Sequence, residues 1–436
     1  MTVNHIAWIS MLFSISNCTP TPSVNAPQAG KFSSGYSSED SADKSIDGSG
    51  ASRSKKVAAD ANDATAVDLV AGSFGSASAL QELIKTDAAS NSGQSVIYVT
   101  IDHLSKDGQQ NETMDVVRKG LVKVLNSVSM APTIVNLQAI DAGKTVYRVN
   151  LADFKQAGAL GRIKSAAYAQ DNVSTVGSAT VVKGDWLVFA LSRPEVYDPM
   201  MKLPQLGKML DAQLGVNYSN AKYLNAEHSE VVFSGRVLAR IPLEIGGKPG
   251  GYYWRTYDFV RADVQARAFS DPASVRTTQI PDFVAGEFFF SLPNGLQAYY
   301  LTGFGDQHRY DVPAFGAGGI SPGVASDSRR PQDGLTRCVG GKKPCGIVIN
   351  GESCMTCHAS GINSVTSAAG ANNATVDEMT KLIGQDRARF ASALQEMGID
   401  PNAAEPIYGS LNAFRARSGV SDKRVQASEV SGLTGK

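Results

Sequence analysis

EFFFSLPNGLQAYYL, residues 287–301, is the stretch on which the fold reading turns. Its arms are rich in aromatic residues, which suit a pleated, packed surface. Between the arms stands Pro293-Asn294-Gly295. Asn-Gly supplies the two positive-φ positions of a tight two-residue turn, so the run predicts a β-hairpin. Phe288, Phe289, Phe290, Tyr299 and Tyr300 fall on both alternations of the arms. The pair is therefore expected to be buried on both faces, as an aromatic core or in part as a wall against a flat ligand. A lone hairpin is not stable in water, so it needs further strands.

Those strands lie upstream. Runs at 230–241 and 251–260 are strand-like, as is 95–101 (SVIYVTI). Residues 112–130 read as a helix, because Met114, Val117, Leu121, Val124, Leu125 and Val128 fall on one stripe and Pro132 follows. Strands are expected at 133–140 and 144–151 about Asp141-Ala142-Gly143, and again at 185–191 (DWLVFAL). Helices are expected at 199–214 and, past the hairpin, at 375–397, where Thr375 and Glu378 have capping-box spacing. The sum is an α+β protein. A mixed β-rich body with packed helices spans 67–330, a mostly helical region spans 331–416, and a polar tail covers 417–436.

The chain has 436 residues, 42% hydrophobic and 19% charged, enough for a sizeable core. Lys plus Arg and Asp plus Glu both number 41, so bulk charge points to neither nucleic acid nor an acidic membrane. No apolar run reaches the roughly 18 residues a spanning helix needs. Residues 6–15 (IAWISMLFSI) form a short apolar run of signal-peptide size, so 1–17 reads as an export signal, although 1–5 carries no Lys or Arg. Ser16-Asn17-Cys18-Thr19-Pro20 resembles a lipoprotein cleavage site, with Cys18 bearing the lipid and Asn17 where a small residue is usual. Residues 18–66, dense in Ser, Ala, Gly and Asp, then read as a disordered tether. The expected place is the periplasm, on the membrane through the lipid alone.

The chemistry-bearing motif is Cys354-Met355-Thr356-Cys357-His358. Two cysteines two residues apart with histidine next form the attachment signature of c-type haem. Each thiol adds to a porphyrin vinyl group and the imidazole ligates the iron. Two other readings stand beside it. Cys338, Cys345, Cys354 and Cys357 can make a Cys₄ zinc site, although the first spacing is wide, or the cysteines can serve only as disulfides. If Cys18 takes lipid and the motif takes haem, Cys338 and Cys345 remain of the five cysteines and would bridge in an oxidising compartment.

A resemblance bears on the choice. LVKVLNSVSM (121–130), TVYRVNLAD (145–153), DWLVFALSRP (185–194), YYWRTYDF (252–259), GEFFFSLPNGLQAY (286–299) and NGESCMTCHASG (350–361) stand in this order. Together they resemble exported bacterial proteins known only as cytochrome c domain-containing, over residues 97–362. The resemblance implies one covalent haem c on Cys354 and Cys357 with His358 as proximal iron ligand. It implies no substrate or reaction.

The sixth iron ligand is less determined. Met379, Met397, His308, His228, His103, Met200 and Met201 are the candidates, Met379 first, and each has an ordinary role as core filler or solvated side chain. An open sixth site is the further choice. Arg255, in a strand-like run, is expected to be a strand charge with a buried partner or to neutralise a haem propionate. The expected function is periplasmic electron transfer with an unidentified redox partner protein. The alternatives are a peroxidase-like haem enzyme and a redox or gas sensor, both needing an open iron site.

Overall fold

The protein is described by a computed structural model for residues 76–91, 95–106, 110–227, 235–259, 262–276, 283–303, 306–309, 311–313, 315–316, 319–320 and 347–419. The signal-like run, Cys18, the tether, Cys338, Cys345, His228 and residues 420–436 lie outside these residues. The elements run α1 (Ala77–Ser90), β1 (Val96–Thr100), α2 (Gln110–Ser127), β2 (Gln138–Ala139), β3 (Val146–Asn150), α3 (Leu160–Lys164), β4 (Val173–Val176), β5 (Ala179–Lys183), α4 (Gly184–Ser192), α5 (Pro194–Met201) and α6 (Gly207–Gln213). They continue through β6 (Lys222–Ala226), β7 (Arg236–Ile245), β8 (Lys248–Phe259), α7 (Ala262–Ser270), β9 (Phe283–Ser291), β10 (Gln297–Gly303), α8 (Glu352–Cys357), α9 (Asn373–Glu396) and α10 (Pro406–Ser418). The fold is α+β, with two mostly antiparallel sheets and packed helices.

Alternation along β1 explains the first sheet, whose order is β2-β3-β1-β5-β4. Ile97 and Val99 turn to one face and join Leu121, Val124, Trp186 and Leu411 in the main core. Tyr98 turns to the other face, where Val146, Val181, Leu80 and Ile84 make a smaller cluster under α1. Asp87 of α1 closes that side, accepting from Arg148 at 2.7 Å and from the Tyr98 hydroxyl at 2.8 Å. The β1–β5 pair is parallel and the other pairs of this sheet are antiparallel.

The second sheet is an antiparallel meander in chain order from β6 to β10. Its register sorts the aromatic residues cleanly. Trp254 pairs with Phe289, and Phe289 with Tyr299, so these three share a face. Arg255 pairs with Phe288, and Phe288 with Tyr300, on the opposite face. Both faces are buried, as the opening stretch led one to expect; each fully buried Phe there contributes about 1.5–3 kcal/mol. Ser367 bridges to Ala226, so the C-terminal segment extends the β6 edge. Side chains of 354–414 share one continuous apolar core with the body.

Several sequence expectations change. Residues 185–191 are helix α4, not a strand. Gly184 to Ser192 is buried on every side, which hides helical period, and a short apolar run fits either element. The helix expected at 199–214 is two, α5 and α6, parted where Lys202 turns left-handed (φ 54°) ahead of Pro204. Only Gln138 and Ala139 of 133–140 pair as strand. The hairpin exists, but of Asn294 and Gly295 only Gly295 has positive φ, at 90°. Gly295 N donates to Leu292 O and Leu292 N to Leu296 O, so Pro293 and Asn294 form the turn and Gly295 the bulge after it. The Asn294 side chain instead donates to Asn126 O at 2.9 Å, tying the hairpin tip to α2. Helix α9 begins past Asn372, whose carboxamide accepts from Ala374 N, so the Thr375–Glu378 box is not its cap.

Candidate functional site

Helix α8 carries the motif, and its start requires glycine. Gly351 has φ 79°, and a Cβ there would stand 2.6 Å from Ser192 O and 3.0 Å from Tyr197 Cγ. The two cysteines are three residues apart on this short helix, so their side chains lie on one face. Cys354 is buried, Cys357 half-buried, and neither is in a disulfide. Burial first, and then the charge of Glu287, pushes the Cys354 thiol far up. His358 caps the helix, its amide donating to Cys354 O at 2.9 Å.

The imidazole has a defined setting. His358 Nδ1 lies 3.2 Å from Gly361 O, a bond that needs the proton on Nδ1, so that in the neutral ring the lone pair is on Nε2. The rings of Phe289 and Tyr299 stand 4.4 and 6.0 Å from it. The β9–β10 hairpin thus provides aromatic cover for the motif histidine.

Long-range polar contacts hold the flanks of the motif. Glu352 is only 2% exposed and binds two arginines: Arg193 Nη1 at 3.0 Å and Arg415 Nη2 at 2.7 Å. Buried Lys123 of α2, ion-paired with Glu405, donates to Ala359 O at 3.2 Å. Ser360 Oγ donates to Pro401 O at 2.7 Å. Asn350 Nδ2 donates to Asp198 Oδ1 at 2.6 Å, and the other oxygen of Asp198 meets His308 Nε2 at 2.9 Å. A buried polar network that is well connected fixes one geometry.

The face of the second sheet that carries Phe289 also carries a charged trio. Arg236 donates through Nε to Asp258 at 2.7 Å and lies 3.5 Å from Glu287. Burial, with Glu287 adding to it and Arg236 opposing, pushes the Asp258 carboxyl up to about 6.

The proposed distal ligands fare differently. Met379 is fully buried on α9, Met397 caps the end of α9, and Met200 and Met201 are core residues of α5. Both nitrogens of His308 are used, Nδ1 with Leu301 O at 3.0 Å and Nε2 with Asp198, and the ring stacks on Tyr300. His103 Nε2 lies 3.0 Å from Asp185, which also binds Arg417. Burial raises the Asp185 carboxyl, but His103 and Arg417 outweigh it and hold the group below the usual range. Arg255 binds Asp211, Asp306 and Tyr218 on the sheet face away from Phe289, the arrangement of a strand charge with buried partners. A polar cleft of about 520 Å³ lies at the first sheet, lined by Asn136, Gln138, Arg148 and Asn150, and shares no lining residue with the motif.

Chemically, the donor types around α8 are those that a covalently attached iron porphyrin would need. The set offers two thiols on one helical face, an imidazole with its proton on Nδ1, and tilted aromatic rings against that imidazole. Cys354 is buried, and its charge would be felt by the hydroxyls of Tyr197 and Tyr299. The zinc alternative draws on Cys338 and Cys345, which lie outside the described residues. Sequence reasoning missed Glu352, Arg193, Arg415, Lys123, Arg236 and Glu287 as site residues. Only Glu352 had a local signal, its place two residues before Cys354.

Comparison with protein-family models, curated proteins and solved structures found no match.

Proposed function

We propose that this chain carries one haem c, attached through Cys354 and Cys357 with His358 as proximal ligand, and that it transfers electrons to or from a partner protein. The supporting observation is the anchoring of the motif. Residues 350–360 are tied by Glu352, Asn350, Ser360 and the Ala359 carbonyl to elements distant in sequence, while His358 is fixed by Gly361 O and covered by Phe289. A functional set needs its supporting contacts to hold it to a fraction of an ångström. The bound group supplies one-electron iron chemistry. The chain's residues orient the imidazole, hold its Nδ1 proton and exclude water from Cys354.

Export, lipidation of Cys18, a Cys338–Cys345 bridge and a periplasmic place belong to the same reading. Among the described residues no helix is long and apolar enough to cross a membrane. The partner contact would be small and transient, around the half-buried Cys357 and His358.

A second reading is an open sixth iron position, as in a peroxidase-like enzyme or a gas sensor. The commitment of both His308 nitrogens favours it over a His308-ligated iron.

The test is spectroscopic. Protein from cells with a haem-attachment system should keep its porphyrin after denaturation and give a c-type pyridine haemochrome. An unchanged signal in the Cys354→Ala, Cys357→Ala double variant would sink the assignment. A low-spin ferric spectrum supports electron transfer; a high-spin one that shifts with cyanide or peroxide supports the open site.

A further inference from the structure

Arg236, Asp258 and Glu287 form a group that neither the motif nor the anchoring explains. Alternation places Glu287 on the same sheet face as Phe289, the ring against His358, and one diagonal step from Asp258. Glu287 is also the foremost charge felt by the Cys354 thiol. The group is not electrically closed. Two carboxylates share one guanidinium, and Arg236 Nη2 is buried with no hydrogen-bond partner among the described residues.

We infer that this trio exchanges a proton with solvent in step with the electron held at the motif. The inference rests on the haem reading and adds a regulation to it. When a one-electron donor reduces the site, the added negative charge acts on a trio that already carries one excess negative charge. Asp258 then takes one proton from water, changing from carboxylate to carboxylic acid; oxidation releases it. Arg236 stays cationic throughout, because a guanidinium does not lose its proton in a protein.

The surroundings suit the exchange. Asp258 itself is fully buried, but Glu287 is 17% exposed and hangs from the same guanidinium, giving the proton a way to water. Among the described residues, the groups that face Asp258 are Arg236 from β7, Glu287 from β9 and the Thr256 hydroxyl on its own strand. On α7, the helix packed on β7 and β8, the charged residues Asp263 and Arg267 pair with each other in solvent. Asp258 also titrates in the range where such coupling is felt, near 6.

The experiment is a potentiometric titration of the full chain between about pH 4.5 and pH 8, where a group near 6 changes charge, with dithionite and ferricyanide as reductant and oxidant. A pyridine haemochrome is taken on the same sample. The wild-type potential should fall as pH rises through the region near 6 and level off above it. Asp258→Asn should remove the slope, while Glu287→Gln should keep it and move it to lower pH, since a neighbouring negative charge is gone. A potential independent of pH in the wild type, or a slope that survives Asp258→Asn, overturns the inference. If Asp258→Asn does not fold, Glu287→Gln decides: an unmoved slope overturns it. A chain without covalent haem removes the haem reading and this inference with it.

Discussion

Glu352→Ala tests the anchoring most directly. The substitution removes the carboxylate that Arg193 and Arg415 grip at 3.0 and 2.7 Å, in a place where Glu352 is 2% exposed. Two guanidinium groups then face its former position with no carboxylate between them, and like charges a few ångströms apart at an effective dielectric near 20 repel by about 3 kcal/mol. Arg193 keeps a looser contact with Glu195 at 3.8 Å, which offsets part of this. Removing one partner of a buried ion pair typically costs about 3–5 kcal/mol, so two routes give the same size. With a urea dependence of about 3 kcal/mol per molar for a chain of this size, the unfolding midpoint should drop by about 1–1.5 M. Glu352→Gln keeps the shape and should lose less. Equilibrium urea unfolding followed by tryptophan fluorescence reads the shift. A midpoint within about 0.2 M of wild type, the range of an ordinary surface substitution, would refute the view that Glu352 holds α8 in place.

Gly351→Ala should cost more than about 2 kcal/mol, because it meets a left-handed backbone and the Ser192 carbonyl together; a thermal melt unchanged from wild type contradicts this. The pH profile of stability has a definite sign at Asp258. Its folded value of about 6 lies above the ordinary 3.8, so between these the folded chain binds more protons than the unfolded one. Stability therefore falls as pH rises through that window, by at most about 3 kcal/mol from this group. Urea midpoints between about pH 4 and 6 should show less decline in Asp258→Asn than in wild type, and equal declines would reject the assignment.

The second sheet was legible because its residues alternate and its aromatic positions are dense; both faces are buried, as 287–301 suggested. Helix α4 was not legible, since a helix buried on every side has no polar face to reveal its period. The turn at Asn294 was misread because its carboxamide found a partner on α2, a contact 168 residues away in sequence. The motif stood out by its spacing, and its anchors did not. Arg193 lies 159 residues before Glu352, and Arg415 lies 63 after it, distances over which no local pattern survives. Arg255 was noticed and Arg236 was not, yet the register puts Arg236 on the face of Phe289 and Arg255 behind it.

A body of this size looks excessive for one motif until its contacts are traced. Lys123 on α2, Arg193 between α4 and α5, Asp198 on α5, and Phe289 and Tyr299 on the hairpin all come from the body and all meet residues 350–359. Arg415 and Pro401 add the C-terminal side. A six-residue helix has too few internal hydrogen bonds to hold its own geometry. Its shape must come from outside, and the body is what provides it. On the haem reading, the same surroundings would hold the iron's ligand in place and weigh on its charge. Axial ligation, burial and nearby charge are the levers that set a haem potential. The sheet face with Phe289, Glu287, Asp258 and Arg236 then belongs to the site as much as the five residues of the motif do.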